Sequence, residues 1–224
     1  MKLKILYEDN HIIAAVKPFN VPSQEDASKD RDMLSELKSY IKEKYDKKGK
    51  VYLGLLHRLD RPAGGVMVFA RTSKAAARLS HAIQKGGVQK VYYAVLQKRP
   101  PKKEDELLGY MLKDTKSNIS RMADANEPGA KLAKLKYSIL QENPGLTLVK
   151  IDLYTGRPHQ IRVQMQSIGC PIFGDMRYGA GDEKHQLALW AYSLSFEHPV
   201  KKERLEITAE PPDTYPWNLF FGTF

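Results

Sequence analysis

The 224-residue chain is predicted to fold as an α+β protein in which many antiparallel strands combine with a few helices. Short apolar segments of alternating polarity recur along it, separated by turns that contain glycine, proline or asparagine. Two longer segments, residues 31–45 and 72–85, carry apolar side chains at helical spacing instead. We expect residues 1–224 to form a single domain, because this length suits one sizeable core or two closely joined halves.

The N-terminal part is predicted to begin with a β-hairpin. Residues 3–7 and 11–16 alternate like strands around the turn-forming residues 8–10. A helix is expected over residues 31–45, and a short buried strand over residues 66–70. A second helix is predicted to begin at a cap formed by Thr72 or Ser73 and to run to about Lys85, before Gly86 and Gly87.

The C-terminal part is predicted to be mostly strands. Residues 91–96 form one strand, and the polar residues 100–129 form a hairpin or a flexible insertion. Residues 133–139 and 146–153 should pair antiparallel across the turn at residues 143–145. Pro158 is predicted to occupy the first position of a helix that runs to Ile168, and strands follow at residues 186–196 and 205–208.

The basic residues are concentrated in one block of the chain. Residues 61–103 contain ten Lys and Arg and no acid, and Asp60 is the only carboxylate of residues 51–103. The remaining residues hold 26 basic and 26 acidic side chains, so the whole formal charge of +10 lies in this block. Such a surface attracts phosphate, and the surrounding cations favour an ionised Asp60. The pattern predicts a nucleic-acid enzyme with a reactive aspartate; the alternatives are a structural salt bridge to Arg58 or Arg61 and a solvated basic face.

The predicted helix over residues 72–85 has two chemically different faces. Its basic face contains Lys74, Arg78, His81 and Lys85. Its core-facing side contains Ala75, Leu79, Ala82 and Ile83. Because a solvated face usually carries charges of both signs, we expect Lys74, Arg78 and Lys85 to contact nucleic-acid phosphates.

Other classes of site are not expected. The histidines and the single Cys170 lack the spacing of a zinc site, and no glycine-rich phosphate loop is present. We therefore expect neither a metal nor a nucleotide cofactor. No apolar run approaches the ~20 residues of a membrane span, no signal peptide is recognisable at the N-terminus, and a lone cysteine suits a reducing compartment. A cytoplasmic monomer without a membrane partner is predicted.

Three sequence blocks occur in a fixed order along the chain. The first is HRLDR at 57–61 followed by GVMVFART at 65–72; the second is KVYYAV at 90–95; the third is TGRPHQIRV at 155–163, continued by CPIFGD at 170–175 and YG at 178–179. The shorter pieces VKP at 16–18, LAL at 187–189 and LSFEHP at 194–199 accompany them. Over about residues 5–210, the chain resembles the RluA family of pseudouridine synthases.

The resemblance implies a fold and an activity. The fold is a mostly antiparallel mixed sheet with flanking helices and a central RNA-binding cleft. The activity is the isomerisation of uridine to pseudouridine in large-subunit ribosomal RNA, transfer RNA or both, without a cofactor. A non-catalytic RNA-binding protein is the alternative function, and Asp60 discriminates against it because pure RNA binding has no use for a carboxylate in a phosphate-attracting groove.

The resemblance also assigns roles to residues. Asp60 is the catalytic carboxylate, Arg162 pairs with it, and Tyr92 stacks on the target base. Arg58 fills the space that a flipped uridine leaves. RNA contacts are expected from the other basic residues of the blocks, which are His57, Arg61, Lys90, Arg157 and His159.

Each of these roles has a structural alternative. Arg162 would be a surface arginine of a helix, and Arg58 would only pair with Asp60. Tyr92 would be a core tyrosine, and since successive strand residues point to opposite faces, either Tyr92 or Tyr93 should be buried.

Two departures from the family pattern affect these expectations. Pro62-Ala63 stands where the family usually has a Thr-Ser or similar pair, so the loop that carries Asp60 lacks those hydroxyl groups. The chain also begins directly at the catalytic domain, without the S4-type RNA-binding domain of longer relatives. We therefore expect it to be similar to the short, single-domain members.

Overall fold

The computed structural model describes residues 2–181 and 184–221. The elements of the first half of the chain are β1 (Lys4–Glu8), β2 (Ile12–Lys17), α1 (Met33–Lys44), β3 (Gly54–Leu55), β4 (Gly64–Ala70), α2 (Ser73–Gln84), β5 (Gln89–Leu96) and β6 (Glu104–Asp114). Those of the second half are β7 (Ile119–Ala123), β8 (Lys131–Asn143), β9 (Leu146–Leu153), α3 (Gln160–Ser167), β10 (Leu189–Glu197), β11 (Arg204–Thr208) and α4 (Asn218–Phe221). Within the described ranges, no helix is both long and apolar enough to cross a bilayer.

The chain divides into two compact units. The first unit comprises Met1–Gln89 and Ala191–Glu210, and the second comprises Lys90–Trp190 and Pro211–Phe224. The expectation that residues 1–224 act as one domain stays a prediction.

The sheet of the first unit has β4 between β2 and β10. The predicted N-terminal hairpin is confirmed, because β1 and β2 pair antiparallel and β2 pairs antiparallel with β4. Every residue of β4 is buried. Gly65 on this strand has a φ of +119°, and a Cβ there would lie 2.3 Å from the carbonyl oxygen of Ala191, so only glycine fits the close approach of the chains.

Two helices complete the first unit, and both were predicted. Asp32 caps α1 by accepting a hydrogen bond from the Ser35 amide, and α1 buries Met33, Leu37 and Ile41. Thr72 caps α2 through its bond from the Ala75 amide at 3.1 Å. Helix α2 buries Ala75 and Leu79 and exposes the opposite, basic face, as its sequence pattern predicts.

The sheet of the second unit has the strand order β5-β9-β8-β6-β7, and all four pairs are antiparallel. The predicted pairing across residues 143–145 is confirmed, with Gly145 at a φ of +77°. The polar residues 100–129 contain the hairpin of β6 and β7, which is the first of the two predicted possibilities. Tyr137, Val149 and Ile151 are fully buried in this sheet.

The predicted start of α3 at Pro158 is wrong, because the helix begins at Gln160. His159 has a φ of 57°, in the left-handed region, so the helix cannot include the residues before it. The Gln160 side chain holds the preceding loop, since its Oε1 accepts hydrogen bonds from Thr155 Oγ1 at 2.7 Å and from the Arg157 amide at 3.0 Å. This tertiary arrangement overrides the local preference of proline for a first helical turn.

Candidate active site

Asp60 lies on a tight turn between β3 and β4 and is partly buried. The turn is closed by a hydrogen bond of 3.0 Å from the Ala63 amide to the Asp60 carbonyl oxygen. Ala63 is buried, with 1% of its surface exposed. The turn therefore closes through its backbone, and Pro62-Ala63 is compatible with an ordered loop although it supplies no hydroxyl group.

Lys17, at the end of β2, anchors this turn from inside the unit. Its side chain is fully buried, and its Nζ donates hydrogen bonds to the carbonyl oxygens of Pro18, Val21 and Arg61 at 3.0, 2.6 and 2.9 Å. Burial lowers the pKa of Lys17 to about 7, an effect that the charge of Asp60 opposes and that of Arg61 increases. Lys17 thus joins the loop after β2 to the turn that carries Asp60.

Ser23 fixes the residue that precedes Asp60. Its buried hydroxyl donates to the Leu59 carbonyl oxygen at 3.0 Å and accepts from the Leu59 amide at 3.1 Å. Leu59 itself is buried, with 8% exposed. The backbone on the N-terminal side of Asp60 is therefore held as firmly as the turn on its other side.

Arg61 is engaged with the loop between β2 and α1. Its Nε donates to the Asn20 carbonyl oxygen at 3.1 Å, and its Nη1 donates to Ser28 Oγ at 3.0 Å. The guanidinium also pairs with Asp30 and lies 3.8 Å from a carboxylate oxygen of Asp26. These contacts give Arg61 a structural role in the loop, and its predicted contact with RNA stays a prediction.

The other predicted residues of the first unit differ in exposure. Arg58 is exposed, as a side chain that displaces a base must be. His57 Nε2 accepts a hydrogen bond from the Val68 amide of β4 at 3.1 Å. This ring nitrogen is therefore engaged with the protein backbone. Lys74 and Lys85 are exposed on α2, whereas Arg78 donates from its Nη1 to the Pro199 carbonyl oxygen at 2.6 Å.

Arg162 forms a buried, bidentate ion pair with Asp175 in the second unit. Its Nε donates to Asp175 Oδ2 at 2.9 Å and its Nη2 to Asp175 Oδ1 at 2.7 Å. Arg162 is 5% exposed and Asp175 is 1% exposed, so the pair is shielded from water. Burial raises the pKa of Asp175, but the hydrogen bonds and charge of Arg162 hold it below its usual value. The alternative of an exposed surface arginine is wrong, and the pairing of Arg162 with Asp60 stays a prediction.

Tyr178 connects Arg162 with His159. The Arg162 guanidinium lies 5.0 Å from the centre of the Tyr178 ring. The Tyr178 hydroxyl lies 2.7 Å from His159 Nδ1, and the Tyr178 amide donates to Asp175 Oδ1 at 3.0 Å. The structure thus brings two predicted site residues together through a tyrosine to which the sequence assigned no role.

Lys90 and Arg157 are two neighbouring basic residues of the second unit. A Cβ on Gly156 would lie 3.6 Å from Lys90 Nζ, so the lysine reaches the loop before α3. Burial lowers the pKa of Lys90, and the charge of Arg157 lowers it further. Arg157 Nε donates to the Leu132 carbonyl oxygen at 2.7 Å. Two adjacent cations of this kind suit a phosphate group.

Tyr92 lies on β5 opposite Ile151 of β9 and is 8% exposed. Tyr93 is partly exposed, and its ring stacks on Phe221 with the centroids 5.6 Å apart. The prediction that one of the two tyrosines is buried is confirmed, and the buried one is Tyr92. Its predicted stacking on uracil stays a prediction.

Lys17, Ser23, Asp175 and Tyr178 support the predicted residues but were not assigned a role from sequence. Three of them do lie in the quoted blocks, since VKP contains Lys17, CPIFGD ends at Asp175, and YG begins at Tyr178. The blocks therefore held the signal, but only the folded chain shows which side chain each residue contacts.

Comparison with known proteins identifies the family. A model of the family described as RNA pseudouridylate synthase matches residues 11–167. The chain belongs to the RNA pseudouridylate synthase family. The match includes Asp60, Tyr92 and Arg162, together with the supporting residues Lys17 and Ser23.

Curated relatives of this family agree. A Rickettsia bellii protein named ribosomal large subunit pseudouridine synthase C is 34% identical over 78% of this chain and 56% of its own length. A Haemophilus ducreyi protein of the same name is 31% identical over 92% of this chain and 64% of its own length. An Aquifex aeolicus RNA pseudouridine synthase is 33% identical over 95% of this chain and 71% of its own length. The chain thus spans less than two thirds of the first two relatives.

Solved structures confirm the fold. The human RNA pseudouridylate synthase domain containing 4 has a TM-score of 0.81 at 22% identity, over 96% of this chain and 91% of that chain. The human RNA pseudouridylate synthase domain containing 1 has a TM-score of 0.72 at 21% identity, over 96% and 85%. The predicted α+β pseudouridine synthase fold is confirmed.

Proposed function

We propose that this chain converts uridine to pseudouridine in RNA, with large-subunit ribosomal RNA as the substrate class. Two of the relatives described above are named as enzymes of that RNA, and nothing comparable supports transfer RNA as directly. The observation that carries the proposal is the setting of Asp60. It is the only carboxylate of residues 51–103, and it stands on a turn that is held on both sides.

The reaction explains why one carboxylate suffices. The bond between N1 of uracil and C1′ of ribose breaks, the base turns, and C5 bonds to C1′. Because C5 releases one proton and N1 gains one, the conversion needs neither an oxidant nor a second substrate. An ionised carboxylate near the sugar captures C1′, stabilises positive charge that develops there, or takes the 2′ proton. Asp60 is proposed to supply it.

The surroundings of Asp60 suit a group that must be aimed before the reaction. The Lys17 ammonium group binds the Arg61 carbonyl oxygen at 2.9 Å, and Ser23 binds both backbone polar groups of Leu59. The residues on either side of Asp60 are therefore tied to the interior of the unit. A reacting group that is fixed in this way loses little entropy in the transition state.

RNA binding is proposed to use cations that no described acid neutralises. Lys74 and Lys85 on α2 and the partly buried pair of Lys90 and Arg157 carry no described ion pair with an acid. Phosphate contacts of this kind act independently of sequence, so they position the RNA without selecting a uridine. Arg58 is exposed two residues before Asp60, and it is proposed to occupy the place of the flipped base.

The experiment that tests the proposal is an activity assay with purified protein. Transcripts of large-subunit ribosomal RNA and a transfer RNA pool are incubated with the wild type or with Asp60→Asn, and pseudouridine is quantified by mass spectrometry and mapped by chemical labelling. We expect the wild type to modify a ribosomal RNA site and Asp60→Asn to modify none. RNA binding without pseudouridine formation by the wild type on either RNA would instead indicate a non-catalytic RNA-binding protein.

Mapping in cells identifies the target. Comparison of pseudouridine positions in total RNA with and without the gene should reveal sites that depend on this chain. A dependent site in transfer RNA alone would contradict the proposed substrate class. The monomeric state and the cytoplasmic location also stay proposals, which size-exclusion chromatography and cell fractionation can test.

A further inference from the structure

The hydroxyl group of Tyr178 joins two parts of the second unit. It accepts a hydrogen bond from the Ser120 amide at 2.8 Å and lies 2.7 Å from His159 Nδ1. Ser120 belongs to β7, and His159 directly precedes α3. A single phenolic oxygen therefore links the β6–β7 hairpin to the start of the helix that carries Arg162.

The remainder of Tyr178 is fixed to Arg162 and its partner. The Arg162 guanidinium stands 5.0 Å from the ring centre, and Asp175 accepts from both Arg162 and the Tyr178 amide. The ring also packs against a buried cluster that includes Met111 of β6 and Val163 of α3. A shift of the Tyr178 ring would therefore move the aromatic face that the Arg162 guanidinium contacts.

Two backbone groups of the hairpin contact the segment that contains Arg177 and Tyr178. β7 is the last strand of its sheet, so the Ser120 amide is available to Tyr178 rather than to a further strand. The second contact is from Arg177 Nη1 to the Asn118 carbonyl oxygen at 2.8 Å, in the turn that precedes β7. Ser120 is 3% exposed, and its own hydroxyl has no hydrogen-bond partner among the described residues. The contribution of Ser120 is thus its amide and not its side chain.

We propose that Tyr178 is a positioning residue that couples the β6–β7 hairpin to Arg162: the hairpin holds the hydroxyl, and the ring holds the guanidinium. The proposal rests on the proposed function and on the role that the family resemblance gives Arg162, which is to pair with the catalytic Asp60. The position of the hairpin would then set the angle of the arginine. Positioning matters because a misplacement of about 1 Å can reduce a rate on the order of 100-fold.

Three variants separate the contributions of the Ser120 amide, the Tyr178 hydroxyl and the Ser120 side chain. Tyr178→Phe keeps the ring under Arg162 and removes only the hydroxyl. Ser120→Pro removes the amide proton and places a ring methylene against the hydroxyl. Proline is compatible with β7 because this amide, on an edge strand, bonds to Tyr178 and not to another strand. Ser120→Ala is the matched control, because it keeps the amide and deletes only a hydroxyl that has no described partner.

The kinetic readout is the single-turnover rate constant at saturating RNA, measured beside RNA affinity and Tm. We expect Tyr178→Phe and Ser120→Pro each to lower the rate constant about 10-fold to 100-fold with RNA affinity preserved. Ser120→Ala should keep the wild-type rate. In the Tyr178→Phe background, Ser120→Pro should add less than about two-fold, because both changes act through one contact.

Several results would overturn the proposal. Wild-type rate constants for both Tyr178→Phe and Ser120→Pro would do so, even with a lowered Tm, because a purely structural role changes stability and not the rate of the bound complex. Equal losses in Ser120→Ala and Ser120→Pro would also overturn it, as would rate effects that multiply fully in the double variant.

A spectroscopic readout keeps the test independent of the activity. The Arg162 Nε–H resonance, assigned through its disappearance in Arg162→Lys, reports both the bond to Asp175 and the nearby aromatic ring. We expect it to shift and broaden in Tyr178→Phe and Ser120→Pro and to remain unchanged in Ser120→Ala. If the wild type modifies no RNA, the proposed function fails and this resonance alone decides the coupling. An unchanged resonance in both Tyr178→Phe and Ser120→Pro would refute it.

Discussion

The buried ion pair of Arg162 and Asp175 allows a quantitative prediction. Asp175→Asn keeps the shape of the side chain but replaces a carboxylate oxygen with an NH2 group. One of the two bonds from Arg162, at 2.9 and 2.7 Å, then becomes a contact between two donors. The arginine is 5% exposed and stays charged, so water cannot replace the lost partner.

The expected magnitude follows from this burial. Removal of one partner from a buried, hydrogen-bonded ion pair costs about 3–5 kcal/mol of the free energy of unfolding. For a chain of 224 residues, each kcal/mol corresponds to roughly 2–4 °C in Tm. We therefore expect Asp175→Asn to lower the Tm by about 6–20 °C.

The assay is thermal unfolding followed by circular dichroism, with urea unfolding as a second measurement. Glu104→Gln is the matched control, because it breaks the pair between Glu104 and Lys136, which has a similar distance of 3.0 Å but lies on the surface. Screening by solvent predicts no measurable change in Tm for this variant. The double variant Asp175→Asn with Arg162→Met should be more stable than the sum of the two single effects, since it also removes the arginine charge that Asp175 neutralises in the wild type.

A small effect would refute the reasoning. If Asp175→Asn changed the Tm no more than Glu104→Gln does, the pair would behave as a surface pair, and its assignment as a buried support of Arg162 would be wrong. Full additivity in the double variant would show equally that the two side chains do not depend on each other.

Three further predictions concern acid stability, salt and the buried tyrosine. Burial raises the pKa of Asp9, but bonds from the Ile12 and His11 amides and the Tyr7 hydroxyl, with the charge of His198, lower it to about 2 from the usual 3.8. Because the pKa is lower in the folded state, this stabilisation is present above pH 3.8, and about 2 kcal/mol should be lost as the pH falls through 3.8 to about 2. Urea unfolding of Asp9→Asn across this pH range should lack that loss, and a variant with the same pH dependence of stability as the wild type would contradict the assignment. Lys74→Gln with Lys85→Gln should reduce the slope of log RNA affinity against log salt concentration by about 0.7–0.9 per lost contact. An unchanged slope would mean that α2 faces away from RNA. Tyr92→Phe should fold and bind RNA normally but react slowly in single turnover, because it lacks the hydroxyl that we expect to transfer the proton from C5 of the base. Tyr92→Ala should also bind the target uridine less well. A fast Tyr92→Phe would remove the hydroxyl from the mechanism, and two active variants with Tyr92→Ala destabilised by about 3–5 kcal/mol would indicate a core residue only.

The sequence predicts the parts of the fold that depend on nearby residues. Thr72 caps α2 because its side chain reaches an amide three residues later, and the hairpin of β8 and β9 follows from the turn at residues 143–145. The start of α3 could not be predicted in this way. It depends on the left-handed conformation of His159 and on the Gln160 side chain, which folds back onto the loop before it.

The same division applies to the candidate site. Asp60 is conspicuous in the sequence because the basic block around it contains no other acid. Its supports are not, because Lys17 reaches the carbonyl of a residue 44 positions later and Ser23 binds a residue 36 positions later. Asp175 lies 13 positions from Arg162, beyond the end of α3, so helical spacing gives no indication of their contact.

The central claim is that Asp60 carries out the isomerisation, and the most direct measurement is pseudouridine formed in a single turnover by Asp60→Asn. The account predicts no product from this variant, with a wild-type Tm and an RNA affinity that is equal or higher because one charge that repels phosphate is gone. Loss of folding and RNA binding together would indicate that Asp60 is a structural salt-bridge residue. Wild-type activity in Asp60→Asn would contradict the account outright.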